Sequence, residues 1–128
     1  LTDAGLVHFQ YCKDLEDLSL MNTWVTDAGL ANFKNGQSYT HLWLEGTKVG
    51  DTGLAHFKPG KQLNELHLAG TRASDAFLAQ LSDAKKLAYI DLTKTKVSES
   101  GVKKLAAMLP GCRIEWDGGV IEPTESAE

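Results

Sequence analysis

The sequence predicts an α/β solenoid, a stack of equivalent strand, turn and helix units whose strands run parallel. The first observation is a six-residue stretch, Val25-Thr26-Asp27-Ala28-Gly29-Leu30, that recurs every 24 residues. Its other copies are Leu1-Thr2-Asp3-Ala4-Gly5-Leu6, Val49-Gly50-Asp51-Thr52-Gly53-Leu54, Ala73-Ser74-Asp75-Ala76-Phe77-Leu78 and Val97-Ser98-Glu99-Ser100-Gly101-Val102. The second is an apolar stretch of the same period, Leu15-Glu16-Asp17-Leu18-Ser19-Leu20, in which Leu18 and Leu20 flank a polar residue. The third is that the period holds without insertion from Leu1 to Ile121. A fixed repeat of this length marks an array in which each unit buries its apolar face against its neighbours.

Each element follows from one column of the repeat. Alternation at Leu18 and Leu20 is the period-2 mark of a strand with one buried face. It predicts five strands near residues 18–20, 42–44, 66–68, 90–92 and 114–116. A threonine follows each of the first four, at Thr23, Thr47, Thr71 and Thr95, where a hydroxyl can satisfy backbone groups left over by the turn. Thr26, Ser74 and Ser98 then read as helix N-caps, and Asp27, Asp51, Asp75 and Glu99 as first-turn carboxylates facing the positive helix end. The inward helix residues are Leu30 and Phe33, with their equivalents Leu6 and Phe9, Leu54 and Phe57, Leu78 and Leu81, Val102 and Leu105. Asn35-Gly36 and Pro59-Gly60 end the helices. Glycine inside a helix is unfavourable by about 1 kcal/mol relative to alanine, so the column Gly5, Gly29, Gly53 and Gly101 predicts close backbone approach between units. Phe77 interrupts that column, either as a core residue compensating the small Ala73 or as an exposed anchor. The last helix runs from Ser98 to Leu109, Trp116 caps the core, and Asp117-Gly118-Gly119 turns the chain out. Residues 122–128 read as a flexible acidic tail beyond a single array spanning 1–121.

Composition narrows the function classes. The chain has 128 residues, and a formal charge of -4 opposes a nucleic-acid binder, which would present a basic face to phosphates. No apolar run approaches the roughly 18 residues of a membrane span. Cys12 and Cys112 fall on units four strand spacings apart, about 19 Å. A disulfide needs Cα atoms within about 7 Å, so both read as inert thiols. Cellular compartment stays open. Leu1 already lies inside a repeat, which reads as the C-terminal portion of a longer protein. A homodimer through the uncapped N-terminal end is the alternative cover for the core.

The unit LxxLxLxxT followed by (V)(T/S)DxGL resembles the leucine-rich repeat family over Leu1 to about Ile121. It is most similar to the cysteine-containing and ribonuclease-inhibitor-like subclasses, with Thr23, Thr47, Thr71 and Thr95 where their motif places Cys or Asn. Leu109-Pro110-Gly111-Cys112-Arg113-Ile114-Glu115-Trp116 is similar to the terminal unit of bacterial arrays with this repeat. The resemblance implies a right-handed α/β superhelix with strands on the concave face, helices outside and macromolecular partners.

On that strand face one row runs Ser19, Trp43, His67, Asp91, Glu115. Its neighbours run Asp17, His41, Glu65, Tyr89, Arg113 and Met21, Glu45, Ala69, Thr93, Asp117. The face is acidic with aromatic centres, and Trp43 and Tyr89 are of the types that anchor interfaces. The predicted partner-binding residues are Asp17, His41, Trp43, Glu45, Glu65, His67, Tyr89, Asp91 and Glu115, facing a protein or peptide with a basic surface. His41, Glu65, His67 and Asp91 have metal-ligand chemistry, but the two histidines occupy different rows and no HxxxH or CxxC spacing supports them. No metal, cofactor or catalytic residue is predicted. Trp24, Lys48, Arg72 and Lys96 form a basic rim in which Trp24 and Lys48 can make a cation-π contact. His8 and His56 read as surface residues. The function expected is a protein-protein interaction module, with a structural spacer or capping segment of a larger protein as the alternative.

Overall fold

The computed structural model of the chain describes residues 2–9, 16–33, 39–57 and 62–124. Six strands form one sheet in sequence order: β1 (Asp17–Ser19), β2 (His41–Trp43), β3 (Glu65–His67), β4 (Tyr89–Asp91), β5 (Arg113–Trp116) and β6 (Gly119–Ile121). The first five are parallel, and each pairing is offset by one repeat, so that Leu18, Leu42, Leu66, Ile90 and Ile114 lie opposite one another in turn. The chain is therefore an α/β protein with a mostly parallel sheet and short helices. Ladder pairing starts one residue before the leucine pairs. Leu20, Leu44, Leu68 and Leu92 follow the strands and still donate their N–H groups to Trp43, His67, Asp91 and Glu115 carbonyls, at 2.7–2.9 Å.

The sixth strand departs from expectation. Asp117-Gly118 was read as turning the chain away, whereas it turns the chain back, and β6 pairs antiparallel with β5 through Ile114 opposite Ile121. Asp117-Gly118 connects the two strands without positive φ at either residue, and the glycine-requiring conformation falls on the next residue instead. Gly119 has φ +134°, a conformation that side-chain-bearing residues rarely adopt. Trp116 and Ile121 are partly buried against the core. The chain beyond β6 is tied as well: the Thr124 N–H donates to the Pro110 carbonyl at 2.8 Å, and Arg113 lies 3.5 Å from Glu122. These contacts fall at the start of the segment 122–128 expected as a flexible tail, of which residues 125–128 lie outside the described residues.

The core lies between the inner face of the sheet and the helices. α1 (Asp27–Leu30), α2 (Asp51–Leu54) and α3 (Asp75–Leu78) are single turns, each continued by a 3-10 turn, Ala31–Phe33, Ala55–Phe57 and Ala79–Leu81. α4 (Glu99–Met108) is longer, and the first unit has the 3-10 segment Asp3–Phe9. Leu6, Leu30, Phe33, Leu54, Leu78, Leu81, Val102 and Leu105 are buried as the inward column requires. Phe9 is not: it is 38% exposed and stacks on Phe33 at 6.1 Å between centroids. Phe77 is 1% exposed, which settles its role as core. Every threonine of the turn column donates its hydroxyl to the carbonyl three residues earlier, Thr23 to Leu20, Thr47 to Leu44, Thr71 to Leu68 and Thr95 to Leu92, at 2.7–2.8 Å. The same turn carries a second periodic feature, positive φ at Asn22, Gly46, Gly70 and Lys94.

The aspartate column works differently from the capping scheme. The Asp3 carboxylate accepts the Thr26 N–H at 2.8 Å and the Thr26 hydroxyl at 2.5 Å. Asp27 accepts the Gly50 N–H at 2.6 Å, Asp51 accepts the Ser74 N–H and hydroxyl, and Asp75 accepts the Ser98 N–H at 2.8 Å and its hydroxyl. Each aspartate thus fastens its own unit to the start of the next helix. Thr26 makes no side-chain cap to its helix, whereas the Ser74 and Ser98 hydroxyls, which donate to an aspartate in the same way, also accept from the Ala76 and Gly101 N–H groups. The glycine column makes room for this clamp. A Cβ at Gly53 would lie 2.7 Å from the Asp27 Cα, one at Gly29 would lie 3.0 Å from the Asp3 Cγ, and one at Gly101 would overlap the Asp75 carboxylate.

The Ser98 hydroxyl, and then the Ser98 N–H, hold the Asp75 carboxyl below its ordinary pKa. A carboxyl whose folded pKa is lowered stabilises the fold above its unfolded pKa, and that stability is lost as pH falls through the folded value. Asp75→Asn is therefore expected to lower the melting temperature at neutral pH, with the gap from wild type closing as pH falls below the usual carboxylate range. A gap that is constant with pH, read by circular dichroism melts, would remove the charge from this explanation. Cys112 is buried and free, and burial pushes its thiol up to about 12, so it is not a nucleophile at neutral pH. Cys12 lies outside the described residues, as do Asn35-Gly36 and Pro59-Gly60.

Candidate functional site

Residues alternating with the buried leucines form the outer face of the sheet. The register places Asp17, His41, Glu65, Tyr89 and Arg113 in one row and Ser19, Trp43, His67, Asp91 and Glu115 in the next. Across β2 to β4 the rings leave these rows and stack on one another. The His41 ring lies 5.6 Å from that of Trp43 at 11°, Trp43 lies 5.7 Å from His67 at 16°, and His67 lies 5.1 Å from Tyr89 at 49°. The indole stacks nearly parallel on both imidazoles, with the rings offset as ring quadrupoles favour.

Carboxylates hold the wall in place. His41 Nδ1 is 3.0 Å from Asp17 Oδ1 and its Nε2 is 3.7 Å from Glu65 Oε2. His67 Nε2 is 3.0 Å from Glu65 Oε1 and its Nδ1 is 3.6 Å from Glu45 Oε2. Glu65 sits between the two histidines, and each imidazole has carboxylate oxygens opposite both nitrogens. The Thr40 hydroxyl bonds Asp17 at 3.2 Å from the neighbouring strand's approach. The Tyr89 hydroxyl donates to Glu115 Oε2 at 2.7 Å. Burial, and then that bond, raise the Tyr89 pKa above the ordinary phenol value, so its proton stays in place. Asp91 is held by Thr93, its Oδ1 accepting the Thr93 N–H at 3.0 Å and hydroxyl at 2.8 Å.

All nine residues singled out from the sequence lie on or beside this face. Asp17, His41, Trp43, Glu45, Glu65, His67, Tyr89 and Glu115 join one network, and Asp91 does not. Thr40 supports it and Thr93 holds Asp91 beside it, roles for which a threonine beside a strand carries no distinguishing sequence signal. His41 and His67 both face Glu65, and each ring nitrogen has a carboxylate opposite it. Among the described residues no group of three or more His, Cys, Asp or Glu side chains is arranged to hold a metal ion.

Elsewhere, Lys48 Nζ lies 5.2 Å from the ring centroid of Trp24, the cation-π contact of the rim, and Trp24 is 69% exposed. Lys48, Arg72 and Lys96 are exposed along the same edge. His8 is exposed, and His56 is half-buried. On the helix side a cleft of about 230 Å³ between α3 and α4 is lined by Leu78, Leu105 and Met108, with Asp75 and Lys104 among its polar members. Its one carboxylate is already engaged by Ser98. No helix among the described residues is long and apolar enough to cross a membrane. Comparison with known proteins finds no family model that matches the chain and no curated protein that matches it.

Proposed function

We propose that the chain is a leucine-rich-repeat solenoid and serves as a protein-protein interaction module, binding a protein or peptide through its concave strand face. The parallel register of one repeat per strand supports the first part. The run of four contacting rings, His41, Trp43 and His67 stacked and Tyr89 tilted against the last, carries the second. Large side chains already fixed against one another lose little conformational freedom when a partner arrives, which is what makes aromatic anchors effective. The surrounding carboxylates select a partner with a basic surface and repel acidic ones. This reading assigns the face a binding role and no catalytic step.

The experiment is to identify a partner by cross-linking and mass spectrometry and to measure its affinity for the double variant Trp43→Ala, Tyr89→Ala. A loss of at least about 30-fold, corresponding to ~2 kcal/mol, is expected for anchor residues, with the circular dichroism spectrum retained. Unchanged affinity refutes the proposal.

A further inference from the structure

We infer that the strand face takes a basic peptide segment by an arginine side chain, and that Glu45 receives the guanidinium. This rests on the binding reading just given and names the chemistry at its centre. The carboxylates of the face are not equivalent. Asp17 is bonded by Thr40 and His41, Glu65 by His67, Asp91 by Thr93, Glu115 by Tyr89 and Asp117 by the Lys94 N–H. Glu45 alone of this group has no hydrogen bond to either oxygen. Its Oε2 stands 3.6 Å from His67 Nδ1, and its Oε1 is buried without any partner.

A carboxylate oxygen removed from water with no donor is unfavourable until a donor arrives. Glu45 keeps 22% of its side chain exposed, and the terminal torsion of glutamate is broad and two-fold, so a small rotation presents the oxygen to a ligand. The donor that fits is cationic. Six carboxylates, Asp17, Glu45, Glu65, Asp91, Glu115 and Asp117, share the face with Arg113 as its one fixed cation. A guanidinium suits the position better than an ammonium. Its planar fork bonds both carboxylate oxygens at once, it is weakly hydrated and so enters a half-buried site at lower desolvation cost, and its flat body packs along ring edges.

The test is selection of a random heptapeptide phage library on the purified protein, followed by affinities of synthetic copies of the selected peptides. The expected result is enrichment of arginine, dependence on Trp43, and at least a tenfold loss of affinity in Glu45→Gln, which keeps the shape of the side chain and removes its charge. Peptides that require Trp43 but show no arginine enrichment, or that bind Glu45→Gln unchanged, overturn this inference and leave the strand-face reading standing. Peptides that bind Trp43→Ala as well as wild type overturn both.

Discussion

Replacing Phe77 by glycine, the residue its column carries in the other units, is expected to destabilise the protein by about 3–5 kcal/mol, the usual range for deleting a buried phenylalanine. Averaging over the repeats would make this exchange neutral or favourable. The structure reverses that expectation because the Phe77 side chain is 1% exposed and is among the largest fully buried groups in the molecule. It shares its unit with Ala73, the smallest member of the column that holds Val25 and Val49, so the ring supplies core volume that this unit otherwise lacks. Urea unfolding followed by tryptophan fluorescence measures the loss. A change below about 1 kcal/mol would mean that the ring fills no space that matters.

The opposite exchange one unit earlier, Gly53→Ala, is expected to cost about 2–3 kcal/mol. In an ordinary helix the same substitution stabilises by up to about 1 kcal/mol. At Gly53 the added methyl group meets the backbone of Asp27 at 2.7 Å and intrudes on the carboxylate that accepts the Gly50 N–H. Backbone cannot yield as a flexible side chain can, so either the clamp between the first two helices opens or the units move apart. The melting temperature should fall by about 10 °C. Gly111→Ala is the matched control: nothing lies within 4 Å of its Cβ, and little change is expected. Equal behaviour of the two variants would detach the glycine column from the aspartate clamp.

Features that repeat were legible in the sequence, because a column states the same requirement several times. The leucine ladders, the threonine turns and the inward helix residues all follow from position within the repeat. The β5–β6 hairpin was also within reach, since Asp117-Gly118 is a strong turn signal that was set aside for a chain exit. The aspartate clamp was not. Asp51 looks like an ordinary first-turn acid, and its partner Ser74 like an ordinary cap. Only the spacing between stacked units shows that they bond to each other. Phe9 departs from its column, 38% exposed and stacked on Phe33, a difference that its place in the repeat does not reveal.

The strand face divides in the same way. Which side chains occupy it follows from alternation along each strand, and their acidic character follows from composition. Their interactions do not. His41 and His67 sit in different rows, which argued against any joint role, yet the rows are close enough for Trp43 to bridge them through two ring stacks. Nor does a list of carboxylates reveal that most are already engaged by neighbours while Glu45 is left with an unmet oxygen. Side-chain rotamers decide both, and no single residue type reports them.

The central claim is that partners are bound by the rings of the sheet face. Chemical-shift mapping on ¹⁵N-labelled protein with a saturating basic peptide or purified partner tests it most directly. Perturbed signals are expected to concentrate on the amides of β2, β3 and β4, on Glu45, and on the Trp43 indole N–H, with α1 to α4 unaffected. Perturbations confined to the helices, or to the Trp24 and Lys48 rim with the Trp43 indole unmoved, would contradict it.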